Sequence, residues 1–387
     1  MENNTNPLPA QFASFADARR DAFLAVKKIK DEGRRVAGTF CTYTPSEILW
    51  AAGFSPVSLC GMSNETVADA EVDLPKNLCP LIKSSYGFAI TDKCPFTYFA
   101  DILVGETTCD GKKKMYELLS RIKKVHALQL PQVQDSKRSL ALWTNELRLL
   151  AERLEDEFGA EVSEENLRHN IHLANRHRLA MLEFLRLGQL QPAALSGYDL
   201  YKTTEGSQFI FDREERLERI EKLTADIKAS YARGSYFGDS KTKRILVTGC
   251  PLGGVLDKII KPLEEMGVVV ACFENCFGER EKLTLVDEDP NRDPYEALAE
   301  KYLQVNCSVM TPNDGRLSDI EGMVQSYKID GVVEIVLQAC HTYAVESKTV
   351  REKVAALQLP YLSLETDYSP SDTGQIQTRL AAFVELL

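Results

Sequence analysis

Ten cysteines are the residues of this 387-residue chain whose positions could support chemistry. In DILVGETTCDGKKK, residues 101–114, the apolar run from Ile102 to Val104 leads into a glycine-containing turn that carries Cys109. The same pattern recurs in DGVVEIVLQACHTYAVES, where an apolar segment precedes Cys340 and a helix follows. Open α/β sheets bind their ligands at the carboxyl ends of their strands. Both cysteines are therefore expected at a ligand-binding edge.

Composition restricts the setting in which these thiols act. The net charge of -11 argues against a nucleic-acid-binding or anionic-membrane surface. The first residues, MENNTNPLPAQFASFADARR, contain no apolar signal segment, and no apolar run approaches the ~20 residues of a membrane span. We therefore expect a cytoplasmic protein with reduced thiols. The simplest explanation of ten free cysteines is that cysteine is a good small core residue.

The elements that must position the cysteines fall into three parts, because a chain of this length predicts more than one domain. Residues 1–134 and 241–387 alternate apolar strands with helices, the pattern of a parallel sheet covered by helices. Residues 135–240 contain long, charged, helically periodic segments whose charges are expected to be solvated. We predict an α/β fold with two doubly wound parallel-sheet domains that face a cleft, joined by a helical insert or bridge. In TPSEILWAAG, Thr44 and Glu47 predict a capping box at a helix start.

Most cysteines lie next to predicted strand ends or turns, and one lies inside a strand. The former are Cys41, Cys60, Cys79, Cys94, Cys109, Cys250, Cys276, Cys307 and Cys340. The exception is Cys272, in VVVAC, which is predicted to belong to the core. The thiols do not form C-x-x-C pairs, which disfavours a zinc ribbon or a ferredoxin-type site. Single thiolates at strand ends suit an iron–sulfur cluster at a domain interface. On spacing alone, buried structural cysteines remain the alternative.

Two further motifs carry less information. TGCPLGG lacks both a complete P-loop and the G-x-G-x-x-G pattern, so it predicts a tight strand-to-helix turn rather than a nucleotide site. Four of the five histidines, His126, His169, His172 and His177, are predicted to be surface or packing residues. His341, adjacent to Cys340, is the one placed near the expected site.

Four segments carry a resemblance to a known family: GTFCTYTPSEILWAAGFSPV, NLCPLIKSSYGF, GETTCDGKKKMYELL and LQACHTYAVES. They resemble the 2-hydroxyacyl-CoA dehydratase / benzoyl-CoA reductase D-component family, and most closely its double-cubane cluster proteins. The resemblance implies that Cys79, Cys109 and Cys340 hold one 4Fe-4S cluster. A double cubane (8Fe-9S) needs a second triad, for which Cys41, Cys276 and Cys307 are predicted. Cys60, Cys94 and Cys250 remain alternatives.

The resemblance also implies an activity. The chain would be a reductase component, expected as a homodimer, that accepts low-potential electrons from a separate ATP-hydrolysing iron–sulfur activator and reduces a small molecule. The alternatives are a 2-hydroxyacyl-CoA dehydratase subunit with a single 4Fe-4S cluster, or a non-catalytic electron carrier. Candidate proton donors or orienting groups are His341, Tyr343, Glu346 and Glu365, although charged loop residues are usually solvated or capping groups. Lys83 and the Lys112–Lys114 run could dock the activator, and exposed helix charge explains them equally well.

Overall fold

The computed structural model describes residues 11–387, with side chains from residue 21 onward. The first ten residues of the predicted N-terminal domain, which are the first half of MENNTNPLPAQFASFADARR, lie outside this range. Within it, the predicted alternation of strands and helices is confirmed. No helix of residues 11–387 combines the length and the apolar character needed to span a bilayer.

Eight strands form two separate four-stranded sheets, and every pairing is parallel. The first sheet contains β1 Arg35–Thr39, β2 Phe54–Ser58, β3 Ile102–Glu106 and β4 Val125–Leu128, in the order β2-β1-β3-β4. The second contains β5 Arg244–Gly249, β6 Val269–Glu274, β7 Gly331–Leu337 and β8 Tyr361–Thr366, in the order β6-β5-β7-β8. The two halves therefore share one topology, which confirms the predicted α/β class.

The helices of the first half are α1 Gln11–Asp31, α2 Ser46–Ala51, α3 Val67–Ala70, α4 Pro80–Ile90, α5 Pro95–Phe99 and α6 Asp110–Leu119. The middle segment contains α7 Lys137–Phe158, α8 Glu164–Leu185, α9 Gly197–Ser207 and α10 Arg213–Ala232. The second half contains α11 Leu256–Glu265, α12 Pro294–Leu303, α13 Asp314–Ser326, α14 His341–Ala356 and α15 Thr373–Val384. Helices α7, α8 and α10 correspond to the three charged segments, whereas no pattern in the sequence predicts α9.

Strands β3, β5, β6 and β7 are buried along their whole length, because helices cover both faces of each parallel sheet. The middle helices share in the same core. Phe184 of α8 and Leu223 of α10 belong to one hydrophobic cluster with Val36 of β1 and Ile245 of β5. The helical segment is thus packed against both sheets, and the predicted boundaries at residues 134 and 240 stay a prediction.

The capping box predicted at the start of α2 is wrong. Thr44 makes no side-chain capping bond there, because its hydroxyl donates instead to the buried carboxylate of Glu106 at the end of β3. Glu47 also turns away from the helix terminus and accepts hydrogen bonds from Arg178 and Tyr302. Tertiary partners therefore replace the local bonds that the motif predicted.

Candidate functional site

Four cysteines follow the central strands at which the strand order of each sheet reverses. Cys41 and Cys109 come shortly after β1 and β3, and Cys250 and Cys340 come shortly after β5 and β7. This reversal creates a crevice at the carboxyl ends of the strands, which is where open α/β sheets bind ligands. The two crevices meet, since thiols from one half contact thiols from the other.

The first group of thiols joins the two halves at Cys340. The thiols of Cys79 and Cys250 hydrogen-bond to Cys340, and these bonds hold the pKa of Cys340 well below its usual value. A hydrogen bond to Cys340 and burial raise the pKa of Cys79. Burial is the main cause of the raised pKa of Cys250. Cys109 lies close enough for the charge of Cys340 to raise its pKa further, beyond the effect of burial. The predicted set Cys79, Cys109 and Cys340 is therefore brought together, with Cys250 added to it.

Helix termini support negative charge at three of these thiols. Cys79, Cys109 and Cys340 are the N-cap residues of α4, α6 and α14, and none of them uses its side chain to cap its helix. A helix N-terminus carries unpaired N–H groups and partial positive charge, which stabilise a thiolate. Backbone N–H groups near all three sulfurs act to lower their pKa values. These N–H groups would therefore stabilise all three sulfurs as thiolates once a metal binds, while burial keeps the pKa values of Cys79 and Cys109 raised without one.

The second group consists of Cys41, Cys276 and Cys307. Burial raises the pKa of Cys41 well above its usual value, and the nearby charges of Cys276 and Cys307 raise it further. Burial likewise raises the pKa of Cys276 to about 11, against the effect of the neighbouring Arg280. The second predicted triad is thus also brought together, with one member from the first half and two from the second.

Cys60 lies between the two groups, and two tyrosines accompany it. Its charge contributes to the raised pKa values of Cys276 and of Tyr368, whose main cause is burial. Tyr368 also faces Cys79 and Cys250, and Tyr116 faces Cys41 and Cys60. Both tyrosine hydroxyls are buried without a hydrogen-bond partner among the described residues. Two buried hydroxyls near these thiols, both without a partner in the described part of the chain, fit a site that holds a group with further sulfur acceptors.

The two remaining cysteines lie apart from both groups. Cys94 is the N-cap of α5 and lines a cavity of about 420 Å³ together with Cys60, Gln208 and Phe277. Cys272 lies inside β6 and is buried in a cluster with Leu246. It is a core residue, as predicted.

The thiols are not arranged around a single ion. Within the part of the chain that the structure describes, no three side chains of His, Cys, Asp or Glu surround one metal position. A mononuclear site is therefore not preformed there. A cubane binds each thiolate to a different iron atom, so its ligands need not converge on one point. Two groups of soft thiol donors from both halves fit that requirement, and Cys79, Cys109, Cys340 and Cys41, Cys276, Cys307 are the residues that could hold the clusters.

The predicted proton donors occupy different environments. Tyr343 is buried, with its hydroxyl oxygen 4.0 Å from the sulfur of Cys307. Glu346 is half-buried and accepts hydrogen bonds from Asn313 and Arg316. His341 and Glu365 are exposed. Catalytic roles for His341, Glu346 and Glu365 stay a prediction, and the geometry brings only Tyr343 against a thiol.

The predicted lysine docking surface needs correction. Lys83 is buried and pairs with Glu71 at 2.8 Å, so it cannot contact a partner protein. Lys112 points inward, where its ammonium donates to the backbone oxygen of Phe40 at 2.6 Å. Lys113 and Lys114 remain exposed on α6. Helical periodicity separates these neighbours, because consecutive residues point to different faces.

A pocket of about 260 Å³ adjoins the second thiol group and is lined by Cys41, Cys60 and Cys276. Charged side chains of the middle helices also line it, including Arg178 and Arg216. The sequence predicts those charges to be in solvent, and for these two residues that prediction is wrong. The sequence of a helical segment identifies its polar face but not the distant carboxylate that an inward-pointing arginine contacts. Arg178, for example, binds Glu47, which is 131 residues away in the chain.

His177, predicted from the sequence to be a surface or packing residue, also lines the pocket. It lies in α8, it is buried, and its Nε2 atom has no partner among the described residues. Burial and the nearby Arg216 and Arg213 lower the pKa of this imidazole to about 3, so it is neutral. The Nε2 atom of His177 and the Nε atom of Arg216 both belong to residues that line the pocket, and neither atom has a hydrogen-bond partner among the described residues.

Comparison with known proteins places the chain in a family. Residues 41–387 match the family described as 2-hydroxyglutaryl-CoA dehydratase, D-component. The chain is 49% identical over 381 residues, 98% of both chains, to "Putative dehydratase subunit YjiM" of Escherichia coli (strain K12). It is 23% identical to the (R)-phenyllactyl-CoA dehydratase beta subunit of Clostridium sporogenes, over 94% of both chains. It is also 20% identical to a benzoyl-CoA reductase subunit of Thauera aromatica, over 92% of this chain and 91% of that one. The resemblance to this family that the sequence indicated is confirmed, and the closer likeness to its double-cubane proteins stays a prediction.

Proposed function

Because the chain belongs to the 2-hydroxyglutaryl-CoA dehydratase D-component family, we propose that it is an iron–sulfur reductase component. It accepts low-potential electrons from a separate ATP-hydrolysing activator and reduces a small molecule at a double-cubane (8Fe-9S) cluster. The observation that carries this proposal is the second group of thiols, Cys41, Cys276 and Cys307, beside the first group. A single cubane would leave that second group without a role.

When bound, the cluster supplies single electrons at low potential, and this chain supplies the ligands and the surroundings. Cys79, Cys109 and Cys340 would hold one cubane and Cys41, Cys276 and Cys307 would hold the other, with Cys250 and Cys60 adjacent. The helix termini behind the first triad offset the negative charge of the thiolates. Arg280, which lies near Cys276 and Cys307, does so for the second triad.

The substrate reaches the second triad through the adjoining pocket. Cys41 and Cys276 line that pocket, whereas Cys79, Cys250 and Cys340 do not. Cys41 and Cys276 would therefore lie beside a bound substrate, whereas the first triad would lie away from it. Lys112, which lines the pocket and hydrogen-bonds to the Phe40 oxygen, places positive charge beside Cys41 and favours negative charge on that side.

A dehydratase subunit with one 4Fe-4S cluster is the second candidate, because several relatives are named as CoA dehydratase subunits. The size of the pocket weighs against it. At about 260 Å³ it is below the ~300–1,000 Å³ typical of sites for drug-sized ligands, so most of a CoA thioester would have to lie outside it. A non-catalytic electron carrier, the third candidate, would not need the pocket.

The test is a measurement of electron consumption. The anaerobically purified chain is mixed with an ATP-hydrolysing iron–sulfur activator, a low-potential electron donor and a candidate small-molecule acceptor. The proposal predicts net, ATP-dependent consumption of electrons in fixed proportion to the acceptor that is reduced. A dehydratase would convert an (R)-2-hydroxyacyl-CoA to the enoyl-CoA without net electron consumption, and a carrier would show one round of reduction without turnover. Either outcome would contradict the proposal.

A further inference from the structure

We propose that the pocket beside Cys41 and Cys276 binds a short-chain carboxylate, with the carboxylate held by Arg216 and Lys282. The identification of this carboxylate as the substrate rests on the proposed function. The binding of a carboxylate in the pocket does not. Three features of the pocket support the proposal: cations without carboxylate partners, a buried donor atom without a hydrogen-bond acceptor, and an apolar wall next to them.

The cations that line the pocket outnumber the carboxylates. Glu47 and Glu281 are the two acidic residues that line it, and both are bound to Arg178. Glu281 also pairs with Lys301 just outside the lining, at 2.6 Å. Their negative charge is thus already matched, and the remaining cations of the wall, Lys112, Lys282 and Arg216, are left without an ion pair among the described residues.

Lys282 and Lys112 bond to backbone oxygens rather than to carboxylates. The ammonium of Lys282 donates to the oxygen of Gly278 at 2.8 Å, and that of Lys112 donates to the oxygen of Phe40 at 2.6 Å. Lys282 is 8% exposed, so water does little to solvate its charge. A buried charge without a counter-ion is costly, and an anion in the pocket would remove that cost.

Arg216 provides the most direct sign of a missing ligand. Its Nε atom is buried and has no hydrogen-bond partner among the described residues. Its guanidinium lies 5.6 Å from the ring centroid of Trp50, next to Arg213, which stacks on the same ring at 4.9 Å. Burial and the charge of Arg213 lower the pKa of Arg216 to about 10, so it is still a cation at neutral pH. A guanidinium binds a carboxylate through parallel N–H donors.

The rest of the pocket lining favours a ligand whose charged group carries an apolar chain. Apolar side chains of both halves and of the middle helices form one wall of the pocket: Phe40, Trp50, Leu81, Met181, Ile220 and Phe277. An inorganic oxoanion would leave this wall exposed to water. A carboxylate with a short hydrocarbon chain satisfies both parts of the pocket, and the volume of about 260 Å³ limits the chain to a few carbons.

The experiment is anaerobic isothermal titration calorimetry on the purified full chain in a zwitterionic buffer. The probes are butyrate, its neutral isostere butyramide, sulfate and butyryl-CoA. We expect butyrate to bind, and each of the other three to bind at least about tenfold more weakly, the value of one charge-assisted contact or more. Butyramide or sulfate binding as tightly as butyrate would overturn the assignment. So would tight binding of butyryl-CoA.

Matched variants test the role of Arg216 in carboxylate binding. Arg216→Gln is expected to weaken butyrate binding about tenfold or more, while leaving the thermal midpoint of the protein unchanged or higher, since it removes a buried cation without an ion pair. The control Arg219→Gln changes an exposed arginine on the same helix, paired with Glu215, and should bind butyrate normally. Unchanged butyrate binding in Arg216→Gln would contradict the proposal. A lowered midpoint with unchanged affinity would identify Arg216 as a purely structural residue.

The same samples separate this inference from the proposed function. An iron-free preparation that still selects butyrate would sustain the pocket assignment and refute the reductase. A preparation that contains iron and consumes electrons with ATP, but does not select butyrate over butyramide, would refute the pocket assignment alone.

Discussion

The hydroxyl oxygen of Tyr343 lies 4.0 Å from the sulfur of Cys307. Arg280 donates a hydrogen bond to the same oxygen at 2.6 Å, so the proton of the Tyr343 hydroxyl is free to point at the sulfur. Arg280 is itself held by the buried carboxylate of Glu274. The chain Glu274–Arg280–Tyr343 therefore orients one hydrogen-bond donor toward the second thiol group.

This relationship predicts the effect of Tyr343→Phe on the redox potential. A hydrogen bond to a ligand sulfur stabilises the extra negative charge of the reduced state. Without the hydroxyl, we expect the potential of the cluster at Cys41, Cys276 and Cys307 to become more negative. Redox titration followed by electron paramagnetic resonance measures this shift.

The control for that change is Tyr236→Phe, which removes a hydroxyl from an exposed side chain. It should leave both cluster potentials and the iron content at the level of the unmodified protein. If Tyr343→Phe retains full iron content and an unchanged potential, the hydrogen bond to Cys307 is not formed.

A second prediction concerns the buried ion pair that joins the middle helices to the first half. Arg178 donates to Glu47 at 2.6 Å and to Glu281 at 2.9 Å, and both Arg178 and Glu47 are buried. Arg178→Met leaves the carboxylate of Glu47 with only the hydroxyl of Tyr302 among the described residues. Because an unpaired buried charge is costly, we expect the free energy of unfolding to fall by about 3 kcal/mol, measured by urea denaturation.

The double variant Glu47→Gln with Arg178→Met is the control, since neither charge of that pair is then buried alone. It should recover part of the lost stability. A loss below about 1 kcal/mol in Arg178→Met, the value of a surface pair, would show that this contact does not hold the segments together.

A third prediction concerns stability in acid. Burial and the nearby Arg153 lower the pKa of His126 to about 4. An unfolded histidine has a pKa of about 6.5, so the unfolded chain binds the proton first as the pH falls. Proton binding at His126 therefore lowers the free energy of unfolding as the pH falls from about 6.5 toward 4.

We expect His126→Gln to show a shallower loss of stability between those pH values, in urea denaturation at a series of pH values. His341→Gln, at an exposed position, is the matched control and should keep the slope of the unmodified protein. Equal slopes for His126→Gln and the unmodified protein would mean that His126 does not contribute.

The fold and much of the thiol arrangement can be predicted from the sequence, because both depend on local patterns. The apolar run that precedes Cys109 or Cys340, followed by a turn and a helix, predicts a strand-end thiol without knowledge of its neighbours. The place of Cys250 is harder to predict. Its importance depends on β5 lying at the reversal of strand order, and that order is a property of the assembled sheet rather than of TGCPLGG.

The charged residues are predicted less well for a related reason. Lys83 and Arg216 lie in helices whose polar positions look alike in sequence, yet Lys83 is buried against Glu71 and Arg216 lines the pocket. Thr44 shows the same limit, since the capping bond that its local motif predicts is replaced by a bond to the distant carboxylate of Glu106. Local patterns do not specify the partner on another segment, which decides where a charged or polar side chain points.

The most direct test of the account is the amount of iron and acid-labile sulfide in anaerobically purified chains. Two joined cubanes predict about eight iron atoms and about nine sulfides per chain. Cys276→Ser is expected to lower the iron content to about half, because it removes a ligand of the second triad only. Cys94→Ser, outside both groups, should keep all of it. About four iron atoms in the unmodified protein, unchanged by Cys276→Ser, would contradict the double cubane, and a protein without iron would contradict any cluster.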